Sequence, residues 1–183
     1  MPPEIPQPWR AFLSDLDARL TEAVELVCGG GFVVSLQYGL SRPTADVDVI
    51  EVRPRPLIVD LMTLAGRGSP LHEAHGVYLD HVTVSTCPDG YEDRLSEMFP
   101  GVLRWLRLFA LDPYDLALSK LDRNAERDRE DVYHLARTAP LDLDVLKGRY
   151  DDEMRPYLGD DIQKRADGTL RWWVEAIGEE RRG

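Results

Sequence analysis

Two aspartates separated by one valine, Asp46-Val47-Asp48, are the residues of this chain best suited to chemistry. They stand in Arg42-Pro-Thr-Ala-Asp-Val-Asp-Val-Ile-Glu-Val52, which alternates polar and apolar residues from Asp46 onward, the pattern of a β-strand reached from a loop. Side chains two apart on a strand leave the same face, so the two carboxylates converge. Side by side they repel, and one or two hard divalent cations, Mg²⁺ or Mn²⁺, remove that penalty. Upstream, Gly29-Gly30-Gly31 precedes Phe32 to Tyr38, which reads as a short helix closed by Gly39. A glycine run lets the backbone approach a ligand, and the free N–H groups that open a helix attract phosphate. A phosphate cradle and a cation-holding carboxylate pair are the parts that phosphoryl or nucleotidyl transfer needs, because there the protein mostly positions and neutralises. Ser35, on the helix, is a further candidate ligand contact. Arg42 and Thr44 either orient phosphate or brace the strand, and the residues alone leave both roles open.

These groups must be held by a core. From Trp9 to Val27 the apolar residues Trp9, Phe12, Leu13, Leu16, Leu20, Val24 and Val27 recur every three or four residues, which predicts an amphipathic helix running into a short buried strand at Glu25–Cys28. Pro54 and Pro56 end the aspartate strand. Leu57 to Ala65 predicts a helix, Gly66 to Pro70 a loop, and Gly76 to Ser85 and Val102 to Leu111 two further strands. Asp112-Pro113 is a helix start, with Asp as cap and Pro at the first helical position. Helices are expected at Pro113 to Asn124, Arg127 to Thr138, Leu143 to Met154 and Asp160 to Ile177. The fold class is therefore α/β, of the α+β kind: an α/β half over residues 1–111, then a helical region over residues 112–183.

Composition narrows the partners. A chain of 183 residues with 43% hydrophobic and 30% charged residues has the make-up of an ordinary globular protein. Met1 to Pro8 lacks the pattern of a secretory signal and no apolar run spans a bilayer, so a cytoplasmic protein without membrane contact is expected, with Cys28 and Cys87 reduced. The net charge of −11 opposes holding nucleic acid by bulk electrostatics; an RNA substrate would have to meet a local basic patch. His72 and His75, read as loop residues, His81, and His134 in a helix show no zinc spacing. Of Trp172 and Trp173, at least one is core, although either could stack on a base.

The order Gly-Gly, short helix, Arg42-x-Thr44-x-Asp46-Val-Asp48 resembles the signature of the DNA polymerase β-type nucleotidyltransferase superfamily, above all its bacterial members related to the abortive-infection type IV toxins. Asp115-Leu-Ala-Leu-Ser-Lys120-Leu-Asp-Arg123-Asn-Ala-Glu-Arg127-Asp128-Arg-Glu-Asp131-Val is similar to those toxins' downstream lysine and Arg-Asp-x-x-Asp element. The resemblance covers residues 28–48 and 112–132, with a gap from the glycines to Asp46 slightly longer than usual. It implies a nucleotidyltransferase-type mixed β-sheet flanked by helices with a helical C-terminal part, an NTP donor and Mg²⁺. It further implies that Gly29 and Gly30, or Gly30 and Gly31, contact phosphate, that Asp46 and Asp48 bind metal, and that a neighbouring strand supplies a third carboxylate. Asp80, in Val77-Tyr-Leu-Asp-His-Val82, is the candidate, as a base or as a second-metal ligand; Asp60, Glu51 and Asp89 compete with it. Lys120 touches the nucleotide's phosphates, or pairs with Asp128 and Asp131 to fix the helices. Arg123 and Arg127 follow three and seven residues later, on one face of a continuing helix.

The function so implied is transfer of NMP to a hydroxyl: an RNA end such as that of tRNA, with growth inhibition and a cognate antitoxin, a small molecule such as an aminoglycoside, or a protein side chain. The alternative from another class is a non-catalytic, nucleotide-binding or antitoxin-like partner of the same fold.

Overall fold

A computed structural model describes residues 4–83, 86–139 and 141–183. They form two compact units, one of residues 4–83 and 95–111, the other of residues 86–94 and 112–183. The first contains α1 (Trp9–Asp17), β1 (Val24–Gly29), α2 (Gly30–Leu36), β2 (Asp46–Arg53), α3 (Ile58–Ala65), α4 (Pro70–His75), β3 (Tyr78–His81), β4 (Ser96–Met98) and β5 (Leu106–Ala110). The second contains α5 (Pro113–Leu118), α6 (Glu126–Thr138), α7 (Leu143–Arg149) and α8 (Asp160–Arg182). Among the described residues no helix is long and apolar enough to cross a membrane.

The five strands make a mixed sheet, as the resemblance implies, in the order β3-β2-β1-β5-β4. Central β1 runs antiparallel to β2 and parallel to β5; β3 is parallel to β2, and β4 antiparallel to β5. Helix α1 buries Trp9, Phe12, Leu13 and Leu16, and the Trp9 ring meets Phe32 edge-on at 4.9 Å. The helix stops ten residues short of Val27. Its last residue, Asp17, explains the break: the carboxylate accepts the N–H groups of Arg104, Trp105 and Leu106 at 2.7–3.0 Å, pinning the start of β5. Val24 and Val27 then serve a strand, where β-branched residues pack well.

Other expectations are corrected in detail. The strand expected from Val102 begins only at Leu106, because Phe99 and Gly101 take positive φ and turn the chain first. The strand expected over Gly76–Ser85 narrows to Tyr78–His81, with Val84 and Ser85 outside the described residues. Strand β4 was not foreseen. His72 and His75 lie on a helix and not in a loop: Ser69 Oγ accepts the His72 N–H at 3.2 Å, Pro70 opens α4, and left-handed Gly76 closes it.

In the second unit Asp112 caps α5 by accepting the Asp115 N–H at 2.8 Å, but the helix ends at Leu118 instead of Asn124. Lys120 has to turn inward. It is 4% exposed, and its Nζ lies 2.8 Å from Asp131 Oδ2 and 3.6 Å from Asp128 Oδ1. Asn124 then takes a left-handed φ of 41°, and Asp128 opens α6 by accepting the Ala125 N–H at 2.9 Å. Arg123 and Arg127 therefore share no helical face. Helix α7 continues through a π-helical turn, Tyr150–Met154, and α8 runs on to Arg182.

Candidate active site

Strand β2 sends Val47 and Val49 into the core and leaves Asp46 and Asp48 half-buried on the opposite face. Parallel pairing sets Asp80 of β3 directly beside Asp48. One carboxylate oxygen from each of Asp46, Asp48 and Asp80 lies within 4.8 Å of the others. Three hard oxygen donors at that spacing suit Mg²⁺ or Mn²⁺ and not a softer zinc or copper set. The competing carboxylates stand elsewhere. Glu51 pairs with Arg53 at 2.9 Å, exposed Asp60 sits in the first turn of α3, and Asp89 belongs to the other unit.

The glycine run is divided between strand and helix. Gly29 ends β1 opposite Asp48, and a Cβ there would meet Ile50 and Leu111 at 3.0 and 3.7 Å, so it faces core. Gly30 opens α2 at φ 62°, and a Cβ on it would overlap the Asp48 carboxylate. Only glycine permits both the dihedral and the close approach. A Cβ on Gly31 would stand 3.3 Å from Arg42 Nη2 and 3.7 Å from Thr44 Oγ1. Of the two pairs open from the sequence, Gly30 and Gly31 are thus the ones that border the carboxylates and their incoming loop.

That loop is held from both ends. Thr44 Oγ1 donates to Asp46 Oδ1 at 3.0 Å, and Ser35 Oγ donates to the Arg42 carbonyl at 3.3 Å, tying α2 to the segment that carries Arg42. Ser35, Leu36, Arg42 and Thr44 also line one wall of a cavity of about 520 Å³ whose other walls include Trp9 and Phe99. Tyr38 was not singled out by sequence, since no spacing marks it. Its hydroxyl donates to the Leu111 carbonyl at 2.9 Å and fixes the turn after α2. Cys28 lies fully buried beneath; burial first, and the Asp48 charge second, push its thiol far above the ordinary range, so it stays neutral. Neither cysteine is in a disulfide.

Lys120 and Arg123 lie in the second unit. Beside the lysine contacts described above, Arg123 donates from Nε and Nη2 to the two oxygens of Asp128 at 2.7 and 2.6 Å. Of the two roles open for Lys120, these contacts show the ion pairing.

Residues 11–179 match the family described as nucleotidyltransferase of unknown function (DUF6036). Comparison with curated proteins and with solved structures gives no match. The matched stretch leaves out only the first ten and last four residues and takes in the carboxylates, the glycine turn and the helical region, so the chain belongs to this nucleotidyltransferase family.

Proposed function

We propose that the chain transfers NMP from an NTP to a hydroxyl acceptor, with Mg²⁺, or Mn²⁺ in its place, as cofactor. The observation that carries this is the gathering of Asp46, Asp48 and Asp80 within 4.8 Å, against a glycine whose missing Cβ makes room for Asp48. A divalent cation bound there supplies charge neutralisation at the α-phosphate and at the departing pyrophosphate. Asp46 and Asp48 would hold it from one strand, and the Thr44 hydroxyl, donating to Asp46 Oδ1, fixes that carboxylate. The N–H groups of Gly30 and Gly31 and the Arg42 guanidinium steady the phosphates, with Ser35 bracing the Arg42 loop. Asp80, exposed at the end of the row, completes the metal site or takes the proton of the acceptor hydroxyl as its oxygen attacks the α-phosphorus. The new phosphorus–oxygen bond forms as the bond to pyrophosphate breaks.

The unit of residues 4–83 and 95–111 carries this chemistry. The likeness to the abortive-infection toxins supports an RNA end, such as that of tRNA, as acceptor, growth inhibition as the outcome and a cognate antitoxin as partner in the cytoplasm. Incubation of the chain with each α-labelled NTP, Mg²⁺ and total cellular RNA and protein tests the assignment. Label is expected in RNA, and none with Asp48→Ala. NTP binding without label in any acceptor would leave the non-catalytic partner as the better account.

A further inference from the structure

Beyond β3 the margin of the sheet carries one more charge. Gly66 forms a parallel bridge to Leu79, so the residue that follows it, Arg67, comes level with Asp80. Leu79 goes with Val47 into the core, and alternation puts Tyr78, Asp80 and Arg67 on the face that bears Asp46 and Asp48. The contacts of Arg67 agree with that register. Its guanidinium carbon stands 4.7 Å from the centroid of the Tyr78 ring, and its Nη2 donates to the Tyr78 hydroxyl. The His72 ring meets the same ring edge-on at 4.8 Å, and His72 Nδ1 accepts the Gly68 N–H at 2.9 Å, which holds the turn that carries Arg67.

Arg67 is exposed, yet it is held over a buried ring. A ring and a hydroxyl do not cancel its charge, and among the described residues it pairs with no carboxylate. Asp80 is its neighbour across the bridge without being its hydrogen-bond partner. Asp60 of α3 and Glu73 of α4, the exposed carboxylates of the flanking helices, do not engage it either. A guanidinium has five N–H donors; one goes to Tyr78, and the others suit the flat, two-point grip on a phosphate.

In-line transfer puts the attacking oxygen and the departing pyrophosphate on opposite sides of the phosphorus. Across the carboxylate face the order is the glycine turn after β1, Asp48 on β2, Asp80 on β3, and Arg67 beyond it. With the donor's phosphates at Gly30, Gly31 and Arg42, the acceptor comes in from the Arg67 flank. We propose that Arg67 grips the phosphate next to the attacked hydroxyl, so that the acceptor is the end of a phosphodiester strand and Arg67 a substrate-binding residue. This rests on the nucleotidyltransferase reading above and narrows its acceptor. Arg67 repels a polycation such as an aminoglycoside, and a protein hydroxyl brings no phosphate to meet it. One directed contact also suits a chain of net charge −11, which lacks the basic surface for bulk attraction along a strand.

The test uses the full chain, Mg²⁺ and a single-stranded RNA oligomer whose linkage nearest the 3′ hydroxyl is either the natural diester or an uncharged methylphosphonate; a third strand carries the neutral linkage at its middle. Anisotropy of the labelled strands and initial rates of transfer from α-labelled NTP are both read. Expected for the strand neutral at its end is about tenfold weaker binding and about tenfold higher acceptor KM, with no such loss when the neutral linkage is central. Arg67→Gln should bring the natural strand to that same level, lose nothing further from the neutral end and leave the KM for NTP unchanged, and Arg67→Lys should recover part of the affinity. A neutral-end penalty that persists in Arg67→Gln, a rise in the KM for NTP in place of the acceptor's, or strands that do not bind at all overturns the contact. If Arg67→Gln has no effect while Asp48→Ala abolishes transfer, the contact falls and the active-site assignment stands. If Arg67 and the end linkage govern binding while transfer survives Asp48→Ala or is absent from the wild type, the contact stands and the active-site assignment falls.

Discussion

Asp46, Asp48 and Asp80 crowd one another on a half-open sheet face, whereas Asp115, Asp128 and Asp131 of the helical unit are 0–1% exposed and each is held by guanidinium or ammonium groups. Asp115 accepts from Arg94 Nε at 2.8 Å and Arg149 Nη1 at 2.9 Å; burial nevertheless raises its pKa, against the pull of those two arginines. For Asp128 burial also pushes upward, but Arg123, the Ala125 N–H and Lys120 together hold it below the ordinary carboxylate range. The second group brings its own cations and is architecture. In the first, three carboxylates stand within 4.8 Å of one another on one sheet face, and the cation of the proposed reaction would lower the cost of holding them together.

The contrast can be broken most sharply by deleting one carboxylate from each group. Asp48→Ala should lower the rate of nucleotidyl transfer about a thousandfold, equivalent to about 4 kcal/mol. Its metal-free urea midpoint should stay within about 1 kcal/mol of wild type, since one partner in the crowding is gone. Lys120→Met should do the opposite. It takes the buried amine from Asp131 and Asp128 and should cost about 3–5 kcal/mol in urea unfolding. A loss of stability from Asp48→Ala as large as that from Lys120→Met would erase the distinction.

Smaller changes sharpen it. Gly30→Ala carries a positive-φ cost of about 1–2 kcal/mol and displaces the Asp48 carboxylate, so Mn²⁺ titration calorimetry should show weaker binding alongside a lower melting temperature. Thr44→Val removes one hydrogen bond to Asp46, about 1 kcal/mol, and should weaken Mn²⁺ binding about fivefold with the fold unchanged. The smallest signal is in acid. Because the folded pKa of Asp128 is depressed, the stability it contributes is complete above about pH 4 and is lost as the pH falls through the folded value. Asp128→Asn should flatten that limb of the urea midpoint profile.

Much of the site could be read from residue order, because its parts are local: alternation gives the face of Asp46 and Asp48, and a glycine run followed by apolar residues gives a turn into a helix. What sequence could not divide was the glycine run itself, since which of the three faces Asp48 depends on the register of β1 against β2. The strand read at Glu25–Cys28 is present as β1, but the helical spacing carried on to Val24 and Val27 fits a helix by chance, and the contact that ends α1 is Asp17 with backbone almost ninety residues away. Strand β4, three residues of Ser-Glu-Met, carries no pattern of its own and exists only through β5. The early end of α5 likewise follows from Lys120 seeking Asp131, a partner visible in the sequence without its direction.

Asp80 rides on a four-residue strand at the margin of the sheet, paired with β2 on one side and bridged on the other only from Leu79 to Gly66. Strands at a sheet margin open before inner ones, so in the proposed site Asp80 would be the ligand recruited last, Asp46 and Asp48 lying one strand further in. An ion that recruits Asp80 must therefore tighten the margin by as much as the ordered margin tightens its hold on the ion. Amide exchange at residues 78–81 and cation affinity are two readings of one equilibrium.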